Sequence, residues 1–345
     1  MPKIPSLLTS RLMWSRMQPS GNKLNKMKDG LVFLKDWVDR WTRVSLVGVD
    51  LGSTFLKAVE LEGADGKILL RRAVVQKLEG KDSTPSFVKQ ILLEAGITED
   101  QAAVGLASPE IIARPFQFPS MPRKELRHAI QLEAEQAILN GHSLSEMVID
   151  WQSFANSSEG SLRGLLAVAP RNVVSDRLEQ FKKAGLSPRI VDIEGLALWN
   201  AYWILIGRNE PRARTVLLAN IGARTTNLVI GRGRDELLLM RDLSIGAQAL
   251  SSSASSAEWA DEIRDSLGYV RSKGKSFELD HIYLTGGASG PQVPALLSSW
   301  IKAPDTLWNP LDQLQWADPP GTLPLKKSDG PLLTLAVGLT LRRIG

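Results

Sequence analysis

One short pattern occurs twice in this chain and limits the folds that the chain can adopt. The segment from Ser45 to Glu60 reads SLVGVDLGSTFLKAVE, and the segment from Leu217 to Gly231 reads LLANIGARTTNLVIG. Each is an apolar run, a turn with glycine and a second apolar run, which predicts two strands joined tightly. Because 345 residues are enough for two cores, the repeat predicts a duplicated, two-lobed α/β fold.

The residues around both turns are suited to binding phosphate. Glycine allows close approach of the backbone, and the N–H groups of such a turn form a concave site for phosphate oxygens. Either hairpin alone also fits an ordinary structural turn. A third element, a strand followed by Gly286, Gly287 and a predicted helix, adds a further phosphate-binding terminus. The three elements in this order predict a nucleotide held between the lobes.

The predicted nucleotide-binding residues come from all three elements. Asp50 is also the predicted magnesium ligand, and Lys57 the predicted phosphate contact. Aligning Gly222 on Gly52 places Asn220 opposite Asp50 and Asn227 opposite Lys57, so the second copy lacks the carboxylate and the lysine. The full predicted set is Asp50, Gly52, Ser53, Thr54, Lys57, Gly222, Ala223, Thr225, Thr226, Gly286 and Gly287.

Composition and charge exclude several classes of protein. The chain has no cysteine, so disulfides and thiolate chemistry are excluded, and its three histidines are scattered without metal-ligand spacing. The net charge of +5 comes from residues 1–44, which hold nine basic and three acidic side chains. The remainder is close to neutral, which disfavours nucleic acid as a partner. No apolar run is long enough for a membrane span, which favours a cytoplasmic protein.

The chain divides into four predicted parts. Residues 1–43 form a basic leader that ends in a short amphipathic helix, 31–41, which either contacts an anionic membrane surface or packs onto the first lobe. The first lobe covers 44–208, the linker-like NEPRAR opens the second lobe at 209–331, and a C-terminal helix occupies 332–345. The apolar stripe of the leader helix consists of Leu31, Leu34, Trp37, Val38 and Trp41.

Several longer motifs identify a family resemblance over most of the chain after Val44. They read GVDLGSTFLKAVEL, FPSMPRKELRHAIQLEAEQAI, VIDWQ, LLAVAPRNVV, AGLSPRIVDIEGLAL, NIGARTT, LTGGAS and LLTLAVGLTLRR. The sequence resembles the PilM family of type IV pilus assembly proteins, actin-like proteins related to FtsA. The resemblance implies a two-lobed actin-like fold (ribonuclease H-like and duplicated), with an inserted FtsA/PilM-type subdomain at about 102–188.

The same resemblance implies a location, partners and a cofactor. It places the protein in the cytoplasm at the inner face of the inner membrane. The implied partner is the N-terminal cytoplasmic peptide of a PilN-like membrane protein, bound between the inserted subdomain and the first lobe. Other inner-membrane subunits of a pilus or secretion machine are implied as well. The implied cofactor is ATP or ADP with Mg²⁺.

Two departures from the family pattern affect the predicted chemistry. Asn220 stands where the family carries aspartate, and an amide binds cations poorly and cannot act as a base. After RDLSIG, Gly246, Ala247 and a serine-rich stretch replace an expected Gly-Gly and helix. No other carboxylate suited to a general base is evident. We therefore expect a scaffold with a degraded or regulatory nucleotide site and weak or absent hydrolysis.

Two alternatives of the same fold stay open on the sequence. The first is an active ATPase or a small-molecule kinase; a kinase would need a general-base carboxylate in the cleft and extra substrate-binding elements, and neither is evident. The second is an FtsA-like membrane-associated filament protein, which would carry an amphipathic anchor at its C-terminus.

Overall fold

The structure is a computed structural model, and it describes most of the chain from residue 46 onward. No helix within the described part is long and apolar enough to cross a membrane. The predicted leader, 1–43, and its helix at 31–41 lie outside that part. The described residues are 46–64, 67–78, 84–138, 143–153, 160–210, 212–233, 236–250, 252–272, 278–287, 293–294, 297, 301–317 and 325–342.

The first lobe contains a six-stranded mixed sheet. Its strands are β1 (Val47–Leu51), β2 (Phe55–Ala64), β3 (Lys67–Lys77), β4 (Gln101–Leu106), β8 (Ser187–Ile193) and β14 (Gln315–Trp316). They lie in the order β14-β3-β2-β1-β4-β8, with β1 to β3 antiparallel and β4 parallel to both β1 and β8. Every residue of β1 is buried, as expected for the centre of a sheet covered on both faces.

The second lobe repeats this topology in a five-stranded sheet. Its strands are β9 (Thr215–Ile221), β10 (Thr226–Arg232), β11 (Glu236–Leu243), β12 (His281–Thr285) and β13 (Asp305–Leu307). Strands β9 to β11 are antiparallel like β1 to β3, and β12 lies parallel to β9 as β4 does to β1. One strand departs from the predicted lobes. β14 falls within the predicted second lobe, 209–331, but pairs with β3 of the first sheet.

A separate small sheet is inserted into the first lobe. It consists of β5 (Ile112–Pro119), β6 (Met147–Ser153) and β7 (Ser161–Pro170), in the order β5-β7-β6, covered by helix α2 (Arg123–Ala137). The helix buries Leu126, Ile130, Ala134 and Ala137, which lie on one face at helical spacing. The insertion is narrower than the predicted 102–188, because β4 and β8 pair within the six-stranded sheet.

Four helices cover the first sheet. They are α1 (Pro85–Glu94), α3 (Arg171–Lys183), α4 (Glu194–Leu205) and α6 (Gly330–Thr340). Close packing fixes α6 between β1 and α4: a Cβ on Gly48 would lie 2.2 Å from the Ala336 carbonyl oxygen, and one on Gly338 would lie 2.0 Å from that of Ala197. Buried Arg342 then pairs with buried Asp192, which joins the end of α6 to β8.

The serine-rich stretch after β11 is helical rather than a reduced loop. Helix α5 runs from Ser253 to Ser272 and so includes much of this stretch. The Ser252 hydroxyl accepts a hydrogen bond from the backbone N–H of Ser255 at 3.1 Å. This is the contact of an N-terminal cap, a position that favours serine.

Candidate functional site

An open cavity of about 760 Å³ lies between the lobes, where the two hairpin turns face each other. It is lined by both turns, by the start of α4 and by α3. Ten of the eleven predicted residues line it: Asp50, Gly52, Ser53, Thr54, Lys57, Gly222, Ala223, Thr225, Gly286 and Gly287.

The eleventh predicted residue, Thr226, does not line the cavity. Its side chain is fully buried. The Thr226 hydroxyl donates to the carbonyl oxygen of Ile245 at 2.8 Å and accepts from the indole N–H of Trp259 at 3.1 Å. The structure therefore gives Thr226 a place in the core of the second lobe.

The two turns have the same backbone geometry. The N–H of Gly52 donates to the carbonyl of Phe55 at 3.0 Å, and the N–H of Gly222 donates to that of Thr225 at 2.9 Å. Gly286 lies against the second turn with φ of 92°, and a Cβ there would be 2.5 Å from the Ile221 carbonyl oxygen. Only glycine fits this close, left-handed position.

The first hairpin carries an ion pair between its strands. Asp50 and Lys57 are directly opposite in the register of β1 and β2. The Lys57 Nζ lies 2.5 Å from Oδ2 of Asp50, with the two side chains only 12% and 8% exposed. Each charge is therefore neutralised by the other. In the predicted roles, a magnesium ligand and a phosphate contact, each of these groups would be shared between its partner and the ligand.

The second hairpin carries an amide pair at the equivalent position. Asn220 and Asn227 are opposite in the register of β9 and β10, and Nδ2 of Asn220 donates to Oδ1 of Asn227 at 2.7 Å. Nδ2 of Asn227 donates in turn to Glu194 Oε2 at 3.1 Å and to Asp242 Oδ1 at 2.8 Å. Since an amide N–H₂ has two hydrogens, both are used, and one amide bridges two carboxyl groups.

Glu194 is a cleft carboxyl group that sequence reasoning missed. It begins α4 and lines the cavity. Burial, followed by the nearby charge of Asp50, raises the pKa of Glu194 to about 7, while the Arg177 guanidinium opposes the shift. A pKa near neutrality is typical of a general base. No general-base carboxylate was evident from the sequence, and the structure places this carboxyl group in the cleft. A signal was present in the motif VDIEG, where a buried strand ends in a glutamate.

Asp242 connects the second lobe to the start of the insertion. Its Oδ2 accepts a hydrogen bond from the backbone N–H of Ser108 at 3.0 Å. Burial raises the pKa of Asp242, and the hydrogen bonds from Asn227 and Ser108 oppose that rise. Both carboxyl oxygens therefore have donors, which leaves Asp242 with a structural role at the edge of the cleft.

Two arginines that were not predicted also line the cavity. Arg177 of α3 donates from Nε to the Gly105 carbonyl at 2.7 Å and from Nη1 to the Leu51 carbonyl at 3.1 Å. Burial lowers the pKa of its guanidinium, which nevertheless stays charged at any physiological pH. Arg224 lies in the second turn and is exposed on the opposite wall.

The donor set fits an anion better than a magnesium ion. Magnesium in nucleotide sites is held by one or two carboxylates together with the phosphates. Here Asp50 is held by Lys57, and the equivalent group of the second hairpin is the neutral amide of Asn220. Among the described residues, no group of three or more acidic, histidine or cysteine side chains is placed to hold a metal ion.

Outside the cleft, the described residues also line two smaller cavities. One of about 550 Å³ lies between β5 of the insertion and β11 of the second lobe. The other, of about 390 Å³, lies between α1 and α3, and shares Leu51, Asp176 and Gln180 with the lining of the cleft.

Comparison with known proteins agrees with this architecture. The family model of the type IV pilus assembly protein PilM matches residues 48–257. A solved PilM-PilN type IV pilus biogenesis complex aligns at 24% identity with a TM-score of 0.69, over 87% of this chain and 98% of that one. The expected two-lobed actin-like fold is thereby confirmed.

Two more distant structures are also similar. A Bacteroides thetaiotaomicron protein of actin-like ATPase fold aligns at 10% identity with a TM-score of 0.45, over 77% of this chain and 91% of that one. The cytoplasmic domain of EpsL, an inner-membrane component of the type II secretion system of Vibrio cholerae, aligns at 12% identity with a TM-score of 0.43, over 86% and 95%.

Proposed function

The chain belongs to the PilM family of type IV pilus assembly proteins, and from that premise we propose that it is a cytoplasmic scaffold at the inner face of the inner membrane. Its proposed partner is the N-terminal cytoplasmic tail of a PilN-like membrane protein. The observation that carries this proposal is the family match over 48–257, which includes the whole inserted sheet. Through that tail the protein would join further inner-membrane subunits of the pilus machine.

The boundary between the insertion and the first lobe runs along β6. Strands β5 and β6 are the two outer strands of the small sheet, and β5 lies beside β11 whereas β6 lies near α3. Val148 of β6 packs against the core of the first lobe, while Ile149 and Trp151 pack against the core of the insertion. We place the tail along β6, as an added strand whose alternate side chains are buried.

Peptide titration with hydrogen exchange tests this placement. The N-terminal peptide of the cognate PilN-like subunit should bind saturably, and a scrambled peptide of the same composition should not. Alternate amides of Met147–Ser153, those that do not face β7, should gain protection on binding, because an added strand would pair with that side of β6, while those of β11 should not change. Protection along β5 and β11 would instead place the tail in the cavity of about 550 Å³ between those two strands. Failure of both peptide and full subunit to bind would remove the proposed partner.

We further propose that the cleft holds ATP or ADP and hydrolyses it slowly or not at all. Support comes from Asn220, which puts a neutral amide where an acidic group would be needed to organise magnesium and water. Turnover should stay far below the rate of about 1 per second that is common for working enzymes. Steady-state phosphate release by the purified protein measures this directly.

Glu194 favours a second candidate function, an active ATPase. Its pKa of about 7 and its position in the cleft suit a group that accepts a proton from water. If hydrolysis at enzymatic rates is found, the variant Glu194→Gln should abolish it while nucleotide binding persists. That result would replace the slow-hydrolysis proposal and leave the scaffold proposal intact.

A further inference from the structure

The cleft lacks free acidic groups where a nucleotide-bound magnesium ion would need them. In the first hairpin, a metal would have to share Asp50 with the Lys57 ammonium, whose Nζ lies 2.5 Å from Oδ2 and already neutralises the carboxylate. In the second hairpin, Asn220 offers an amide that is already bonded to Asn227. The phosphates of a nucleotide must therefore be neutralised in another way.

Arg177 supplies a fixed positive charge on the first-lobe wall. Its Nε and Nη1 are held by the carbonyl oxygens of Gly105 and Leu51, and Nη1 also donates to Oε1 of Gln180 at 2.9 Å. None of these bonds uses Nη2, and Arg177 lines the cavity. Glu194 faces this guanidinium, but with a pKa of about 7 it carries less than a full charge at neutral pH.

Arg224 supplies a second positive charge on the opposite wall. It lies inside the turn that Gly222 and Thr225 close, lines the cavity and is exposed. Arginine binds phosphate through parallel N–H···O bonds, which gives both affinity and orientation. One arginine from each lobe therefore faces the cavity between the two turns.

We propose that the cleft binds the phosphates of a nucleoside diphosphate or triphosphate between Arg177 and Arg224, without a magnesium ion. This inference rests on the proposed nucleotide site and specifies how that site neutralises its ligand. The arginines close the two lobes on the anion, and the Asp50–Lys57 pair stays intact.

Calorimetric titration with ADP and ATP, in buffer with EDTA or with excess magnesium, tests the proposal. Affinities in the two buffers should agree within about threefold, ~0.7 kcal/mol. The variant Arg224→Ser should weaken binding by about tenfold or more, ~1.4 kcal/mol, in both buffers. Arg224 is the better variant because Arg177 also holds the ends of β1 and β4. The matched control is Arg232→Ser, an exposed arginine at the far end of β10, which should bind as wild type.

Three results would overturn the inference. The first is binding that EDTA abolishes and magnesium restores. The second is an Arg224→Ser variant that binds as tightly as the Arg232→Ser control. The third is no binding of either nucleotide in either buffer, which would also remove the nucleotide from the proposed function. Peptide binding along β6 is measured separately, so none of these results affects the scaffold proposal.

Discussion

The two hairpins share the same backbone turn but carry different pairs of polar side chains across their strands. Both turns are closed by a glycine N–H bond of nearly equal length, 3.0 Å and 2.9 Å. The residues opposite each other just before and after the turn are Asp50 and Lys57 in the first copy, and Asn220 and Asn227 in the second. A charged side chain meets an opposite charge, and an amide meets an amide. Each pair satisfies itself, so the fold keeps both hairpins whichever chemistry they carry.

The pairs differ in what surrounds them. The ion pair is closed on itself, whereas Asn227 extends its pair to Glu194 and Asp242 and through Asp242 to Ser108. A lysine at position 227 would have three donors but no acceptor, whereas an amide offers one hydrogen to each of two carboxyl groups and accepts from Asn220 as well. Where the first hairpin has a lysine, the second has an amide whose hydrogen bonds connect the second lobe to the first lobe and, through Asp242, to the start of the insertion.

Breaking the ion pair should have the largest effect on stability. The variant Lys57→Met leaves the carboxylate of Asp50 buried without a partner, and we expect a loss of about 4 kcal/mol in the free energy of unfolding. Urea denaturation at neutral pH measures it. The control Lys183→Met removes an exposed pair with Glu179 and should change little. If Lys57→Met and wild type unfold with the same urea midpoint, Asp50 is solvated in solution.

Copying the second hairpin into the first sharpens the same comparison. The double variant Asp50→Asn with Lys57→Asn replaces the ion pair by the amide pair of Asn220 and Asn227. It should regain most of the stability that Lys57→Met loses, because no unpaired charge is left buried. A double variant as unstable as Lys57→Met would mean that the amide pair depends on Glu194 and Asp242 for its own stability.

The sequence predicted the two-lobed architecture but not the hydrogen bonds that connect residues far apart in the chain. The repeated turns and the apolar stripe of α2 are local patterns, since each depends on residues a few positions apart. The bonds from Asn227 to Glu194 and from Arg177 to Leu51 join residues 33 and 126 positions apart. They depend on tertiary packing within the first lobe and between the lobes, which no local period records. β14, with only two residues, is too short to show an alternating pattern.

Removing the hydrogen bonds of Asn227 should have the next largest effect on the free energy of unfolding. The variant Asn227→Leu leaves Glu194 and Asn220 without a hydrogen-bond partner and removes one of the two donors to Asp242, and we expect a loss of about 3 kcal/mol in the free energy of unfolding. The control Asn172→Leu changes an exposed residue in the first turn of α3. Hydrogen exchange should also show faster exchange at the Ser108 amide in Asn227→Leu. Unchanged protection there would mean that Asp242 holds the insertion without help from Asn227.

The raised pKa of Glu194 should make stability depend on pH. The folded state holds this proton up to about 7, whereas an ordinary glutamate loses it near 4.5. Folding therefore favours the protonated form, and its contribution is lost as pH rises from 4.5 to about 7. We expect a loss of about 2 kcal/mol over this window, after allowance for solvent in the cleft.

A glutamine variant isolates this contribution. Glu194→Gln should flatten the fall in the free energy of unfolding across the window, because its side chain carries no proton to lose. Glu135→Gln, on the exposed face of α2, should keep the wild-type slope. An equal slope in wild type and Glu194→Gln would assign the pH dependence to another group, such as buried Asp192, whose pKa burial also raises.

The smallest expected effect concerns the position where the hairpins differ in polarity. Leu56 of the first hairpin is fully buried in an apolar core, whereas Thr226, its counterpart, bonds to Trp259 and Ile245. The variant Thr226→Val leaves the indole N–H of Trp259 without an acceptor, at an expected cost of about 1 kcal/mol. Thr226→Ser keeps the hydroxyl and should lose less in the same urea titration. If Thr226→Ser loses as much free energy of unfolding as Thr226→Val, the methyl group of the threonine rather than its hydroxyl determines the stability at this position. The hairpins would then not differ in polarity here in any way that affects stability.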